Sequence, residues 1–201
     1  MDEAARPARS RGLRRYLLLV VIVAAVVADD QATKRYVERN LRGRVVRVMP
    51  GFDLRYVRNP GAAWGLFADV RERVRRPFFA GVSVLAMAFI LLTYSRAASE
   101  QRRLRVALAL VCGGAAGNFI DRVSYGYVVD FIDWHVHLMG RPHHWPTFNV
   151  ADAAITLGVL MIALELIPAR APAAARAPLA GGAPSAAAGA PLDGGEPPAA
   201  P

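Results

Sequence analysis

Four apolar blocks constrain this chain more than any other feature: Tyr16 to Ala28, Phe78 to Ser95, Val106 to Ile120, and Ala153 to Ile167. The hydrocarbon core of a bilayer is about 30 Å thick, and a helix needs roughly 20 residues to cross it. The second block is long enough alone. Each of the others reaches that length only by running on into polar residues, and each extension carries aspartate: Asp29 and Asp30, Asp121, and Asp152. A soluble helical protein would show a polar stripe, whereas Phe78 to Tyr94 has little beyond Ser83 and Thr93 to offer one. A signal peptide fits the first block poorly. Arg14 and Arg15 precede it, but Asp29-Asp30 follows where a small-residue cleavage pattern should lie. The blocks predict an α-helical integral membrane protein with four transmembrane helices.

Between the blocks the pattern divides the chain further. Residues 1–15 form a basic tail, expected on the cytoplasmic side, and 16–168 a four-helix transmembrane domain. The first helix is expected over 16 to about 36, ending in the amphipathic stretch Asp30 to Val37. From Arg44 to Phe67 apolar residues recur with a period near two, with turns at Pro50-Gly51 and Asn59-Pro60-Gly61, which predicts a small β-region. Arg71 to Arg76 leads into the second span, and Arg96 to Arg105 forms a basic loop. The third span is expected to break at Gly117-Asn118. A loop over about 124–148 holds Trp134, Trp145 and all four histidines, and its aromatics suit a membrane interface. The fourth span starts near Asp152. Residues 169–201 are an Ala/Pro-rich tail with almost no large apolar residue, expected to be disordered.

Charge narrows the partners. The net charge is +9 and nearly all the basic residues are arginine. No nucleic-acid module accompanies them, so anionic lipid headgroups are the simpler attraction. The positive-inside rule favours a cytoplasmic amino tail, Arg96 to Arg105 loop and carboxyl tail. The stretch Lys34 to Arg76 is also rich in arginine, which weakens that vote. An even number of spans puts both termini on one side. The single cysteine, Cys112, excludes an intrachain disulfide and lies beside Gly113 and Gly114 as a small packing residue. His135, His137, His143 and His144 show no convincing ligand spacing. No metal and no cofactor is expected.

Charge at membrane depth costs on the order of 2.5 to 3.5 kcal/mol per residue, so intramembrane carboxylates are functional candidates. These are Asp30, Asp121, Asp130 and Asp152, with Asp29, Asp53, Asp69 and Asp133 as competitors. Asp130 interrupts an apolar run after the third span, and Asp152 opens the fourth. A rising third span and a descending fourth bring both to one membrane face. Two adjacent carboxylates share a proton, so one can activate water while the other donates to a carbonyl or leaving amine. Structural alternatives stand beside this reading: Asn149 or Asp152 as a helix cap, and Asp130 paired with an arginine. Asn118 and Asp121 share a helical face, with Arg122 able to neutralise a carboxylate or hold a substrate backbone. Asp30 and Lys34 have the spacing of a local i,i+4 pair. A proton-coupled transporter would instead place acids in mid-span along a polar path. A scaffold would use Gly113 to Gly117 for helix packing alone.

Five segments, in order, resemble the signature blocks of lipoprotein signal peptidases (signal peptidase II), an intramembrane aspartyl protease family. They are Asp30-Gln-Ala-Thr-Lys34, Asn59-Pro-Gly-Ala-Ala-Trp-Gly65, Gly113-Gly-Ala-Ala-Gly-Asn-Phe-Ile-Asp-Arg122, Val128-Val-Asp-Phe-Ile132, and Phe148-Asn-Val-Ala-Asp152. The resemblance covers roughly residues 15 to 168. It implies four transmembrane helices, a small extracytoplasmic β-cradle, and a helix or loop over the active site. It also implies cleavage of prolipoproteins just before a diacylglyceryl-modified Cys. By this resemblance Asp130 and Asp152 match the catalytic dyad. Asn118, Asp121, Arg122 and Asn149 match polar residues that organise the site and contact substrate. Asp30, Lys34, Asn59 and Gly61 match motif positions whose roles are read as mainly structural. The implied setting is the bacterial inner membrane, with both termini cytoplasmic and the site towards the extracytoplasmic face. The expected partners are the lipidated substrate and membrane lipids, without nucleic acid, for a monomeric enzyme.

Overall fold

A computed structural model describes residues 8–61, 67, 70–98 and 100–166, with side chains from Tyr16 onward. The 169–201 tail, the side chains of residues 1–15, Trp64, Gly65 and Asp69 lie outside the described residues. Among the described residues there are four helices: α1 (Ala8–Asn40), α2 (Glu72–Arg96), α3 (Arg102–Tyr125) and α4 (Val150–Leu166). Four strands, β1 (Val45–Met49), β2 (Phe52–Asn59), β3 (Val128–Leu138) and β4 (Arg141–His144), form one antiparallel sheet in that order.

Helices α1 (from Tyr16), α2 and α3 are each long and apolar enough to cross a membrane. Their apolar side chains face outward: Leu85 is 72% and Phe89 70% exposed. Water would penalise that surface at about 25 cal/mol per Å², and a bilayer does not. The chain is a multi-pass membrane protein. Helix α4 has 17 residues, which at 1.5 Å per residue span about 25 Å.

The first helix is longer than its apolar block. Past Ala28 its inward stripe changes character, with Asp30, Lys34 and Val37 buried and Leu41 continuing the line just beyond the helix. An i, i+4, i+7 spacing keeps one face inward, so polar residues extend the helix because that face has partners. Helix α3 is the buried axis. It packs on α1, α2 and α4, with Ala107, Cys112, Gly113, Gly114 and Gly117 inside. The expected break at Gly117-Asn118 does not occur; α3 runs on to Tyr125 and ends at Gly126, in the left-handed conformation at φ 79°. Gly117 serves close approach instead, because a Cβ there would lie 2.6 Å from Asp30 Oδ2.

The β1–β2 hairpin turns at Pro50-Gly51, where Gly51 has φ 83°, and β2 bulges between Leu54 and Val57. The stretch 124–148, expected as a loop, holds the two remaining strands. Residues 128–138 are rich in β-branched and aromatic side chains, but Asp130 is out of phase with Asp133, His135 and His137, so no single alternation runs the length of the strand. Met139 and Gly140, both at positive φ, make the tight turn into β4. After β4 the chain stays against β3, with Trp145 N–H donating to Trp134 O at 2.7 Å and Phe148 N–H to Ile132 O at 3.1 Å. That delivers residues 149–152 beside β3.

Candidate active site

A buried ionic cluster sits where α1, α3, α4 and β3 meet. The Lys34 ammonium, 3% exposed, lies 2.9 Å from Asp30 Oδ2 and 2.9 Å from Asp121 Oδ2. It also donates to Asn118 Oδ1 at 2.9 Å. Asp30 Oδ1 accepts the Ala151 backbone N–H at 3.0 Å, in the first turn of α4. Asp121 accepts from Gln31 Nε2 at 2.8 Å and from the Val129 N–H at 3.1 Å. Buried charges are tolerated only when paired and hydrogen-bonded, and here one cation and two carboxylates fasten four elements.

Asn118 carries this cluster towards a second pair of carboxylates. With its Oδ1 facing Lys34, its Nδ2 donates to Asp152 Oδ1 at 2.8 Å. The Asn149 Nδ2 donates to Asp130 Oδ1 at 2.7 Å and to Asn118 Oδ1 at 3.2 Å. Asp130 Oδ2 accepts from Asn59 Nδ2 at 2.9 Å. The Gly61 N–H donates to Asn59 Oδ1 at 3.1 Å, which turns the Asn59 amide nitrogen towards Asp130. Asp130 therefore takes asparagine amides on both oxygens, rather than the arginine of the structural alternative. The capping reading of Asp152 is realised as well: its N–H donates to Asn149 Oδ1 at 2.9 Å, and the Asn149 N–H to Asp152 Oδ2 at 3.2 Å. This reciprocal cap fixes both residues at the start of α4 and leaves Asp152 facing a cavity.

That cavity, about 740 Å³, is lined on its polar side by Asn59, Asn118, Arg122, Asp130 and Asp152. Trp134, Trp145 and Phe148 form its rim, and Ile155, Leu157 and Leu160 of α4 its apolar side. Arg122 packs over the Phe79 ring at 5.2 Å and donates to the Asn118 carbonyl at 3.3 Å. Asp130 is 2% exposed. Burial, and next the Asp152 charge, push its pKa up to about 7, against the lowering pull of the Asn59 and Asn149 amides and of Lys34. A carboxyl that titrates near neutrality, with a second carboxylate on the same cavity, can hold a proton and pass it on.

Of the sequence candidates, Asn59, Asn118, Arg122, Asp130, Asn149 and Asp152 fall into one network around the cavity. Asp30, Lys34 and Asp121 form the adjoining cluster, joined to the cavity through Asn118. Gly61 acts through Asn59. The competitors lie elsewhere: Asp53 pairs with Arg47 at 3.6 Å and Asp133 with Arg55 at 3.0 Å. The Lys34 reach was not foreseen. Its i,i+4 pairing with Asp30 forms, but nothing local announces its contacts with Asn118 and Asp121 on another helix. Gln31 and the Ala151 N–H were missed for the same reason.

Two carboxylates lining one cavity beside membrane helices form an arrangement able to do acid–base chemistry. The family model for signal peptidase (SPase) II matches residues 22–168. A lipoprotein signal peptidase of Syntrophotalea carbinolica is 45% identical over 154 residues, covering 76% of this chain and 92% of the relative. One from Geobacter metallireducens is 45% identical over 140 residues, covering 69% and 83%. One from an Anaeromyxobacter strain is 52% identical over 117 residues, and there the match spans only 54% of the relative's length. A bacterial membrane enzyme solved by the in meso method superposes with a TM-score of 0.63 at 32% identity, covering 75% of this chain and 92% of the solved one. The chain belongs to the signal peptidase II family, aspartic peptidases that cleave signal peptides from prolipoproteins.

Proposed function

We propose that this protein removes the signal peptide from diacylglyceryl-modified prolipoproteins, cutting before the lipidated Cys with Asp130 and Asp152 as the catalytic dyad. The observation that carries the reading is that these two carboxylates line one cavity, with asparagine amides fixing both. Asp130, with its raised pKa, holds the dyad's proton. Asp152 takes a proton from water as the water oxygen attacks the scissile carbonyl carbon, and Asp130 protonates the carbonyl oxygen. The resulting diol collapses: the C–N bond breaks as Asp152 gives its proton to the leaving amine and a diol hydroxyl returns a proton to Asp130, and the signal peptide departs as a carboxylic acid. Water is consumed and the dyad returns to its starting charge. Arg122 holds a peptide carbonyl near Asp152. The apolar wall of α4, where Leu157 is 53% and Leu160 55% exposed, gives acyl chains a path from the bilayer.

In this reading α4 is the fourth span, and both termini are cytoplasmic. The cavity opens near the extracytoplasmic face of the inner membrane, with Trp134 and Trp145 at the interface. The enzyme acts as a monomer. Purified protein in detergent is expected to cut a diacylglyceryl prolipoprotein peptide immediately before the modified Cys and to leave the unlipidated peptide intact. Mass spectrometry of the products reads both; equal cleavage of the two peptides overturns the substrate assignment.

The pH profile offers a second test. A proton held by Asp130 is lost as pH rises through about 7, so kcat/KM should fall on that alkaline limb. The Asn59 amide favours the ionised form of Asp130 and lowers its pKa. Asn59→Leu is therefore expected to move the limb to higher pH. A limb unmoved, or moved downward, would show that Asp130 does not hold the proton.

A further inference from the structure

The face of the β3–β4 hairpin turned away from the dyad carries a second group of ligands. Side chains alternate along a strand, so Asp130 and Trp134 point to one face of β3, and Asp133 and His135 to the other. Strand pairing sets His144 directly opposite His135. A carboxylate oxygen of Asp133 and one ring nitrogen each of His135 and His144 lie within 4.8 Å of one another. The two rings stand 4.9 Å apart at their centroids.

Two further observations point to a ligand. His135 is 8% exposed, and its Nδ1 is buried without a hydrogen-bond partner. An imidazole nitrogen left so is costly, since a buried polar atom without a partner forfeits its hydration. Second, Asp133 is held from both sides. Arg55 Nε lies 3.0 Å from its Oδ2, and His144 Nδ1 faces both oxygens, at 2.9 Å from Oδ1 and 3.1 Å from Oδ2. The arginine holds the carboxylate in place, as outer partners of metal ligands do, with the carboxylate turned to His144.

We propose that Asp133, His135 and His144 form a three-ligand site for a divalent transition-metal ion of the zinc type, separate from the peptidase dyad. Two imidazoles and a carboxylate suit zinc, which binds them at about 2.0–2.2 Å and completes a tetrahedron with a water. Ligand atoms in such a tetrahedron stand about 3.3 Å apart, so small side-chain rotations close the present spread. The ion takes the place of the hydrogen between His144 Nδ1 and Asp133. In sequence the ligands are an Asp-x-His pair and a distant histidine, and only the hairpin register assembles them. Bound metal pins β4 to β3, and with it Trp134 and Trp145, which rim the cavity on the opposite face.

The test uses the full chain without a histidine tag, stripped by a chelator and kept in detergent. Zn²⁺ is titrated against a chromophoric chelator, and Co²⁺ is used to read ligand-field absorption. Wild type is expected to take up one tight equivalent, to give a tetrahedral cobalt spectrum, and to melt at a higher temperature with Zn²⁺. His135→Ala and His144→Ala should each weaken binding at least about tenfold. The His144 side chain is 42% exposed, so that variant keeps its fold, which its melting without metal checks. His137→Ala and His143→Ala should bind as wild type. Wild type binding no more tightly than His144→Ala, or a loss that follows His137 or His143 instead, overturns the site.

Discussion

Lys34→Met is expected to destabilise the folded protein by about 3–5 kcal/mol, because it leaves two buried carboxylates without their cation. Asp30 and Asp121 are 0% and 1% exposed and both lie 2.9 Å from the Lys34 ammonium. Neither can turn to water without pulling α1 from α3 or α4. Methionine fills a similar volume, so the loss reads charge rather than packing. In a protein of this size the melting temperature should fall on the order of 10 °C in detergent. Adding Asp121→Asn removes one stranded charge and should recover part of the fall. Lys34 also anchors Asn118, so the variant should lose activity even below its melting point. A Lys34→Met protein as stable as wild type would mean that the cluster is solvated.

Which parts of this molecule could be read from its residues follows from the range of the interactions. The membrane helices were legible because their apolar blocks are continuous, and the β1–β2 hairpin because Pro50-Gly51 is a local turn. The Asp30–Lys34 pair needed only helical spacing. Strand β3 was hidden, because Asp130, Asp133, His135 and His137 interrupt its apolar alternation. Their partners, Asn59, Asn149, Arg55 and His144, lie on other elements. The continuity of α3 through Gly117 was hidden too. A lone glycine weakens a helix by about 1 kcal/mol, and only the closeness of Asp30 explains why it is there. The dyad candidates were visible as carboxylates in apolar surroundings. The resemblance already marked Asn118 and Asn149 as organising residues, but which carboxylate each amide reaches became clear only in three dimensions.

The second large effect concerns the dyad itself. Asp130→Asn and Asp152→Asn keep the shape of each side chain and remove the group that holds or accepts a proton. General acid–base catalysis by one positioned group is worth about a hundred- to ten-thousandfold, and each variant should lose at least that much activity. Asn at 130 gives up one of the two amide bonds but relieves the burial of a charge, so Asp130→Asn should stay close to wild type in stability. Asp152→Asn keeps one side-chain oxygen able to accept the Asn149 N–H and so keeps the helix cap. Loss of activity without loss of fold separates a chemical role from a structural one.

The most direct measurement is therefore the rate of cleavage of a lipidated prolipoprotein peptide by wild type, Asp130→Asn and Asp152→Asn, each with its melting temperature recorded in the same detergent. A catalytic dyad predicts cleavage before the lipidated Cys by wild type and near-complete loss in both variants, at melting temperatures close to that of wild type. Cleavage by either folded variant at the wild-type rate would contradict it.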